Sequence, residues 1–369
     1  MNRLTQILES KRVCVVCGAG GVGKTTSAAS IGLAAARAGR RVLVITIDPS
    51  KRLAQTLGVS AHQDEPATLS LERLEAVGVR PPGSLSAWML DPQAVCDRTV
   101  RNLAGSEANA DRLLRNPVYQ QLSSVVAGMQ EYTAVEALHE FIRDDSYDLV
   151  VLDTPPSRDA LRFLEAPEKA RAFVDARILR LIVPGPGNRI RRAATRLVEG
   201  MLDLAFGAES RATLQQFFAS IQGVLGYLNG NQAEMRRFFE SDAAAFVLVS
   251  SPKPEALEEA FYFERRAREL RLPRAGFVLN RSLAWTAGRA LPSEAKLPAE
   301  RVELAGQALA KLEVLAAPEA EAAARHAALR AELAERAGAG FAIAFPELPV
   351  GASDLESLVA LAEQLEGLA

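Results

Sequence analysis

Apolar residues along this chain follow two rhythms. Predominantly apolar runs at Val13–Val16, Arg41–Ile47, Leu85–Leu90, Tyr147–Leu152, Ala245–Val249, Ala275–Leu279 and Phe341–Phe345 suit strands buried on both faces, as in a parallel sheet, with a weaker short strand expected around Leu69–Leu71. Between them the pattern is helical. Val135, Leu138, Phe141 and Ile142 mark one apolar face, and Phe217, Phe218, Ile221, Val224, Leu225 and Leu228 another, which is either core or a groove for an apolar client helix. Further helices are expected from about Thr26 to about Ala38, over Pro254–Leu270, over Pro318–Ala337 with its Glu321/Arg325 and Glu332/Arg336 pairs, and after a capping box at Ser353–Glu356.

The first strand runs into Gly18-Ala-Gly-Gly-Val-Gly23-Lys24-Thr25, which fits GxxxxGK[ST] between a strand and a helix. Gly18, Gly20, Gly21 and Gly23 carry no Cβ, so the loop's backbone N–H groups, with that of Val22, can turn inward around a polyphosphate at a helix N-terminus. Lys24 supplies a point charge for the β and γ phosphates, Thr25 a hydroxyl ligand for Mg²⁺, and Thr26 a contact to the α phosphate.

Other candidates lie at strand ends, where open α/β sheets bind ligands. Asp48 follows the second strand and either serves the nucleotide or caps a helix over residues 50–57; Asp91 repeats the strand-then-Asp-Pro pattern more weakly. Asp153 ends an aliphatic run well downstream of the P-loop, the Walker B arrangement that holds the Mg²⁺ shell. Asn280 ends another strand and can offer a donor and an acceptor to a purine edge.

Composition narrows the classes. The 369 residues carry a formal net charge of −2, which gives no basic footprint for nucleic acid. No stretch approaches a membrane span or a signal peptide, so a cytoplasmic protein without stable membrane insertion is expected. Cys14 and Cys17 have C-x-x-C spacing, but in a strand they point to opposite faces; with three scattered histidines, no zinc site is expected. The arginines at 189, 191, 192 and 196 suit a solvated helix face or an anion or partner contact.

GGVGKTT, TIDPSKRLAQTLG at 46–58 and DTPPSRDALRFLEAP at 153–167 resemble the switch regions of the arsenical pump-driving (ArsA) family of ATPases, which includes the guided-entry ATPase for tail-anchored membrane proteins. The stretch at 116–140 is similar to the single-domain bacterial branch described as anion-transporting ATPases. The resemblance implies an α/β P-loop NTPase with a mostly parallel, doubly wound sheet and an inserted helical subdomain. Residues 1–92, 146–167 and 241–369 would form the nucleotide-binding domain, and 93–145 and 168–240 the helical subdomain on the client or partner side. It implies ATP and Mg²⁺ as ligands, Asp48 orienting the attacking water, Asp153 beside Mg²⁺, and Asn280 with the loop holding Pro346 and Pro349 near adenine. It also implies a dimer that closes on two nucleotides and acts on an unidentified protein client.

One departure matters. Family members with the deviant loop, GKGGVGKT, carry a lysine after the first glycine that reaches the partner's phosphates, and Ala19 stands there. A cation supplied in trans is worth on the order of 10³ to 10⁵ in rate. Three explanations follow: a heterodimer with a lysine-bearing paralogue; a homodimer in which Lys51, Arg52 or Arg158 supplies the charge; or a non-hydrolysing, ATP-binding regulatory subunit. The retained Lys24, Thr25, Asp48 and Asp153 favour the first. A ParA/MinD-like positioning ATPase is a more distant alternative.

Overall fold

A computed structural model describes residues 3–47, 52–59, 65–116, 119–120, 130–155, 231, 234–289, 302–348 and 355–367. Its strands are β1 (Val13–Gly18), β2 (Arg41–Thr46), β3 (Ala67–Thr68), β4 (Ser84–Met89), β5 (Leu149–Asp153), β6 (Ala244–Ser250), β7 (Arg274–Leu279) and β8 (Phe341–Ala344). They form one sheet in the order β3-β4-β2-β5-β1-β6-β7-β8, in which all neighbours pair parallel except β3 with β4. After β1 the chain builds outward through β2, then returns to insert β5 between them and crosses to β6 on the other side. The reversal opens a crevice at the carboxyl end of β1.

Two cores sandwich this sheet. Cys14 and Val16 of β1 enter one, while Val13, Val15 and Cys17 enter the other, and Val42 and Val44 alternate in the same way with Leu43 and Ile45. Burial on both faces is why these strands read as unbroken aliphatic runs. Helices α1 (Arg3–Glu9), α2 (Lys24–Arg37), α3 (Arg52–Leu57) and α4 (Leu71–Ala76) cover the first face. The alanines 28, 29, 34, 35 and 36 of α2 are fully buried, and their small side chains let the helix lie close to the strands.

On the second face lie α5 (Pro92–Leu103), α7 (Gln130–Asp144), α8 (Pro254–Glu269) and the end of α9 (Val302–Ala337); α6 (Glu107–Leu114) packs beside α5 on a small cluster of Val100, Leu113 and Tyr119. Val135, Leu138 and Phe141 of α7 are buried as their spacing requires, and Phe141 meets Trp88 of β4 edge-on at 5.6 Å. Each such side chain contributes about 1.5–3 kcal/mol by leaving water. The buried Glu264 carboxylate of α8 accepts from Arg268 and from Arg274 at 2.9 Å, with Arg336 of α9 at 3.8 Å, and so joins α8, β7 and α9. The last described helix is α10 (Val359–Glu366), which buries Leu361, Ala362 and Leu365 and pairs Glu366 with Arg37 of α2 at 2.8 Å.

Several expected boundaries are corrected. The strand near Leu69–Leu71 is the two-residue β3 at Ala67–Thr68, and Leu71 instead opens α4 on the surface, 65% exposed. The strand at Tyr147–Leu152 is Leu149–Asp153. Helix α9 begins at Val302, not Pro318, which sits inside it. A proline there removes one backbone N–H and crowds the Val314 carbonyl, yet residues 310–315 are all exposed, so water can take the displaced carbonyl. Asp91 is the N-cap of α5, its Oδ1 accepting from the Gln93 and Ala94 N–H groups. Of the 281–298 loop, residues 281–289 are described and contain a short 3₁₀ turn at Ala284–Thr286. The arginines at 189–196, the apolar stripe at 217–228 and Ser353 of the capping box lie outside the described residues.

Candidate functional site

The P-loop occupies the crevice. β1 ends at Gly18 and α2 begins at Lys24, so Ala19, Gly20, Gly21, Val22 and Gly23 make the whole connection, with Lys24, Thr25 and Thr26 in the first helical turn. Gly23, the N-cap, is left-handed at φ +92°, and a Cβ there would lie 2.0 Å from Asn280 Nδ2. A Cβ on Gly18 would lie 2.1 Å from the Val249 carbonyl oxygen of β6. Only glycine fits at either place, which keeps the loop drawn tightly around its centre.

Lys24 is 8% exposed, and its Nζ donates to the Ala19 carbonyl at 2.8 Å. That bond folds the ammonium back over the loop it serves. The same contact draws on the backbone of Ala19, whose methyl side chain brings no second charge.

Two neighbouring strands complete the arrangement. Asp153, 1% exposed at the end of β5, accepts from the Thr25 hydroxyl at 2.6 Å and from the Thr46 hydroxyl of β2 at 2.9 Å, both on Oδ2. Next to it, Thr154 donates to the Val16 carbonyl of β1 at 2.9 Å. Across the crevice, Asn280 follows β7, and its Nδ2 donates to the Val22 carbonyl at 2.8 Å. Phe345 is bound through its N–H to Leu279 and through its carbonyl to the Ser282 N–H, so Pro346 emerges beside Asn280.

The structure thus gathers Gly18, Gly20, Gly21, Val22, Gly23, Lys24, Thr25, Thr26 and Asp153 at one end of β1, with Asn280 against the loop and Pro346 nearby. Asp48, Pro349, Lys51 and Arg158, and the side chain of Arg52, lie outside the described residues. Local patterns did not point to Thr46. Its signal was a single hydroxyl in the aliphatic run Val42–Ile47.

The donor set fits a magnesium-bound polyphosphate. The glycine-rich loop and the helix N-terminus that follows it suit the anion, and the Thr25 hydroxyl and Asp153 carboxylate are hard oxygen donors suited to Mg²⁺. The nearby thiols are inert by comparison. Burial pushes the Cys17 thiol up to about 12 and raises Cys14 as well, and the two face opposite cores. Among the described residues no group of three or more His, Cys, Asp or Glu suits a metal ion, and no helix is long and apolar enough to cross a membrane.

Comparison with known proteins agrees with this fold. The profile of the anion-transporting ATPase family matches residues 11–277. The chain is 26% identical over 272 residues to ATPase get3 of Pyrenophora tritici-repentis, covering 72% of each chain. It is 28% identical over 178 residues to a putative arsenical pump-driving ATPase of Halobacterium salinarum, covering 46% of this chain and 26% of that protein. It is 34% identical over 183 residues to an uncharacterised protein of Streptomyces coelicolor, covering 49% of this chain and 42% of that one. With its P-loop at the centre of a mostly parallel sheet and the family match running over most of its length, the chain belongs to the anion-transporting ATPase family and is an α/β P-loop ATPase.

Proposed function

We propose that this ATPase binds Mg²⁺–ATP at the β1–α2 loop and hydrolyses it as one half of a nucleotide-gated dimer, driving a conformational change on a client or partner protein. The observation that carries the reading is the 2.6 Å bond between Thr25 and Asp153 beside a buried Lys24, which brings phosphate-binding and metal-binding groups to one point.

The backbone amides of residues 20–25 hold the phosphates, and Lys24 exchanges its bond to the Ala19 carbonyl for phosphate oxygens. Thr25 and the shell of Asp153 hold Mg²⁺, which when bound neutralises charge developing on the phosphates. Asp48 orients the attacking water for in-line displacement at the γ phosphate. Asn280 holds Val22 in place and, with the loop that contains Pro346 and Pro349, borders the adenine.

The domain division proposed from sequence assigns residues 1–92, 146–167 and 241–369 to the nucleotide and 93–145 and 168–240 to the client or partner. Ala19 favours pairing with a paralogue that bears the GKGGVGKT lysine. The same residue supports a second reading, a non-hydrolysing subunit that uses ATP as a conformational signal. Affinity capture from native cells with ATP and Mg²⁺, followed by ATPase assay of the eluate, separates them. Turnover that appears only when a lysine-bearing relative co-elutes supports the heterodimer. Tight ATP binding with negligible turnover in every fraction supports the regulatory subunit, and rapid turnover by the chain alone contradicts both.

A further inference from the structure

We propose that Thr46 is a positioning residue for Asp153, fixing its carboxylate for the metal that accompanies the nucleotide; the inference rests on reading the β1–α2 loop as a Mg²⁺–ATP site. Thr46 and Asp153 are register partners on adjacent parallel strands, β2 and β5, so their side chains rise on the same face of the sheet. Both are buried, at 2% and 1% exposure, and the Thr46 hydroxyl donates to Asp153 Oδ2 at 2.9 Å. That oxygen also accepts from Thr25 at 2.6 Å.

The two hydroxyls do different work. Thr25 lies in the first turn of α2, and its oxygen is proposed as a metal ligand, so its position depends on what occupies the loop. Thr46 belongs to a strand held in the sheet on both sides, by β4 and by β5. Its bond to Asp153 needs no ligand. An ionised carboxylate only accepts, so a hydroxyl beside it donates. Thr46 thereby holds one oxygen of Asp153 at a fixed point before and after metal binding. The backbone reinforces the link, since the Ile47 N–H donates to the Asp153 carbonyl at 3.3 Å.

Residue choice supports a role for the hydroxyl. Val42, Leu43, Val44 and Ile45 precede Thr46 in the same buried strand, where valine has the same shape and none of the cost of burying a hydroxyl. A threonine that only filled space would be replaceable by valine without consequence for the metal.

The test compares T46V, which removes the hydroxyl, with T46S, which keeps it. Mn²⁺ serves as the probe, its binding in the presence of ATP followed by electron paramagnetic resonance, and metal-free ADP affinity by calorimetry serves as the control for the loop. T46V is expected to weaken Mn²⁺ binding by roughly tenfold to a hundredfold, the usual range for loss of a group that orients a metal ligand. Metal-free ADP affinity stays within about twofold, and T46S recovers most of the Mn²⁺ affinity. Should T46V fail to fold, T46A takes its place with the same expected loss. Unchanged Mn²⁺ binding in T46V, or equal loss in T46V and T46S, overturns the role of the hydroxyl while leaving the nucleotide site intact. Absence of ATP binding by the unaltered protein overturns the site reading itself, and the inference with it.

Discussion

The hydroxyl of Thr25 lies 2.6 Å from Oδ2 of Asp153, joining the first turn of α2 to the end of β5 across the mouth of the P-loop. A hydrogen bond to a buried charged group contributes about 1.5–3 kcal/mol, and here its partners are also the two groups proposed to hold the metal. Asp153→Asn keeps the shape but loses the charge. It is expected to lower Mg²⁺-dependent turnover by roughly tenfold to a hundredfold while leaving metal-free nucleotide binding nearly unchanged. Kinetics over a Mg²⁺ titration check this, and equal loss at every Mg²⁺ concentration would point to a structural defect instead.

Gly23→Ala tests the loop's dependence on a missing side chain. The left-handed conformation alone costs roughly 1–2 kcal/mol in any residue with a Cβ. The added carbon also falls on Asn280 Nδ2, so the amide must leave the Val22 carbonyl. The expected result is a lower melting temperature together with loss of nucleotide binding. Gly39→Ala provides the contrast: its φ is similar, +93°, but no atom lies within 4 Å of the added carbon, so stability falls while nucleotide binding persists.

Ala19→Lys introduces the cation that the family resemblance implies is supplied in trans. If the isolated chain self-associates, its turnover is expected to rise, approaching on the order of 10³ where the lysine reaches the neighbouring site. Steady-state phosphate release at several protein concentrations measures it. A rise that scales with dimer formation supports a missing trans charge; unchanged turnover in a demonstrated dimer contradicts it.

Glu136 gives a pH dependence independent of the nucleotide site. It is 7% exposed on α7, its Oε1 accepts from Asn231 at 2.8 Å, and Oε2 has no hydrogen-bond partner among the described residues. Burial pushes its carboxyl up to about 7 from an ordinary 4.5; the Asn231 bond opposes this and nearby Glu140 adds to it. The native carboxyl keeps its proton to higher pH than the unfolded one. Its contribution is therefore complete below pH 4.5 and is lost as pH rises through about 7. The change is at most about 3 kcal/mol, and Glu136→Gln, which needs no proton, is expected to flatten this limb of the stability curve between those values. Melting curves of both proteins across that window are the check; parallel curves would contradict the assignment.

Much of this was legible in sequence because strands buried on both faces leave unbroken aliphatic runs, and because GxxxxGK[ST] has little meaning outside a strand–loop–helix. Elements that failed to show were short or depended on distant contacts. β3 is two residues at a sheet edge, too brief to carry a period. Pro318 resembled a helix start because proline favours the first turn, yet helix-forming Ala, Leu, Glu and Lys upstream carry α9 through it on an exposed face. The Thr46–Asp153 bond spans 107 residues and exists only because β5 inserts beside β2, an order no local pattern encodes. The carboxyl-end position of Asn280 was readable from its strand, whereas its bond to Val22 depends on how β7 lies against the P-loop.

The central claim is that the β1–α2 loop holds Mg²⁺–ATP through Lys24. Isothermal titration of ATP with Mg²⁺ into the purified chain and into Lys24→Ala tests it most directly. Saturable one-site binding by the chain, weakened by a hundredfold or more (roughly 3 kcal/mol) in the variant despite an unchanged melting temperature, is the predicted result. No binding by the chain, or equal affinity in both proteins, would contradict it.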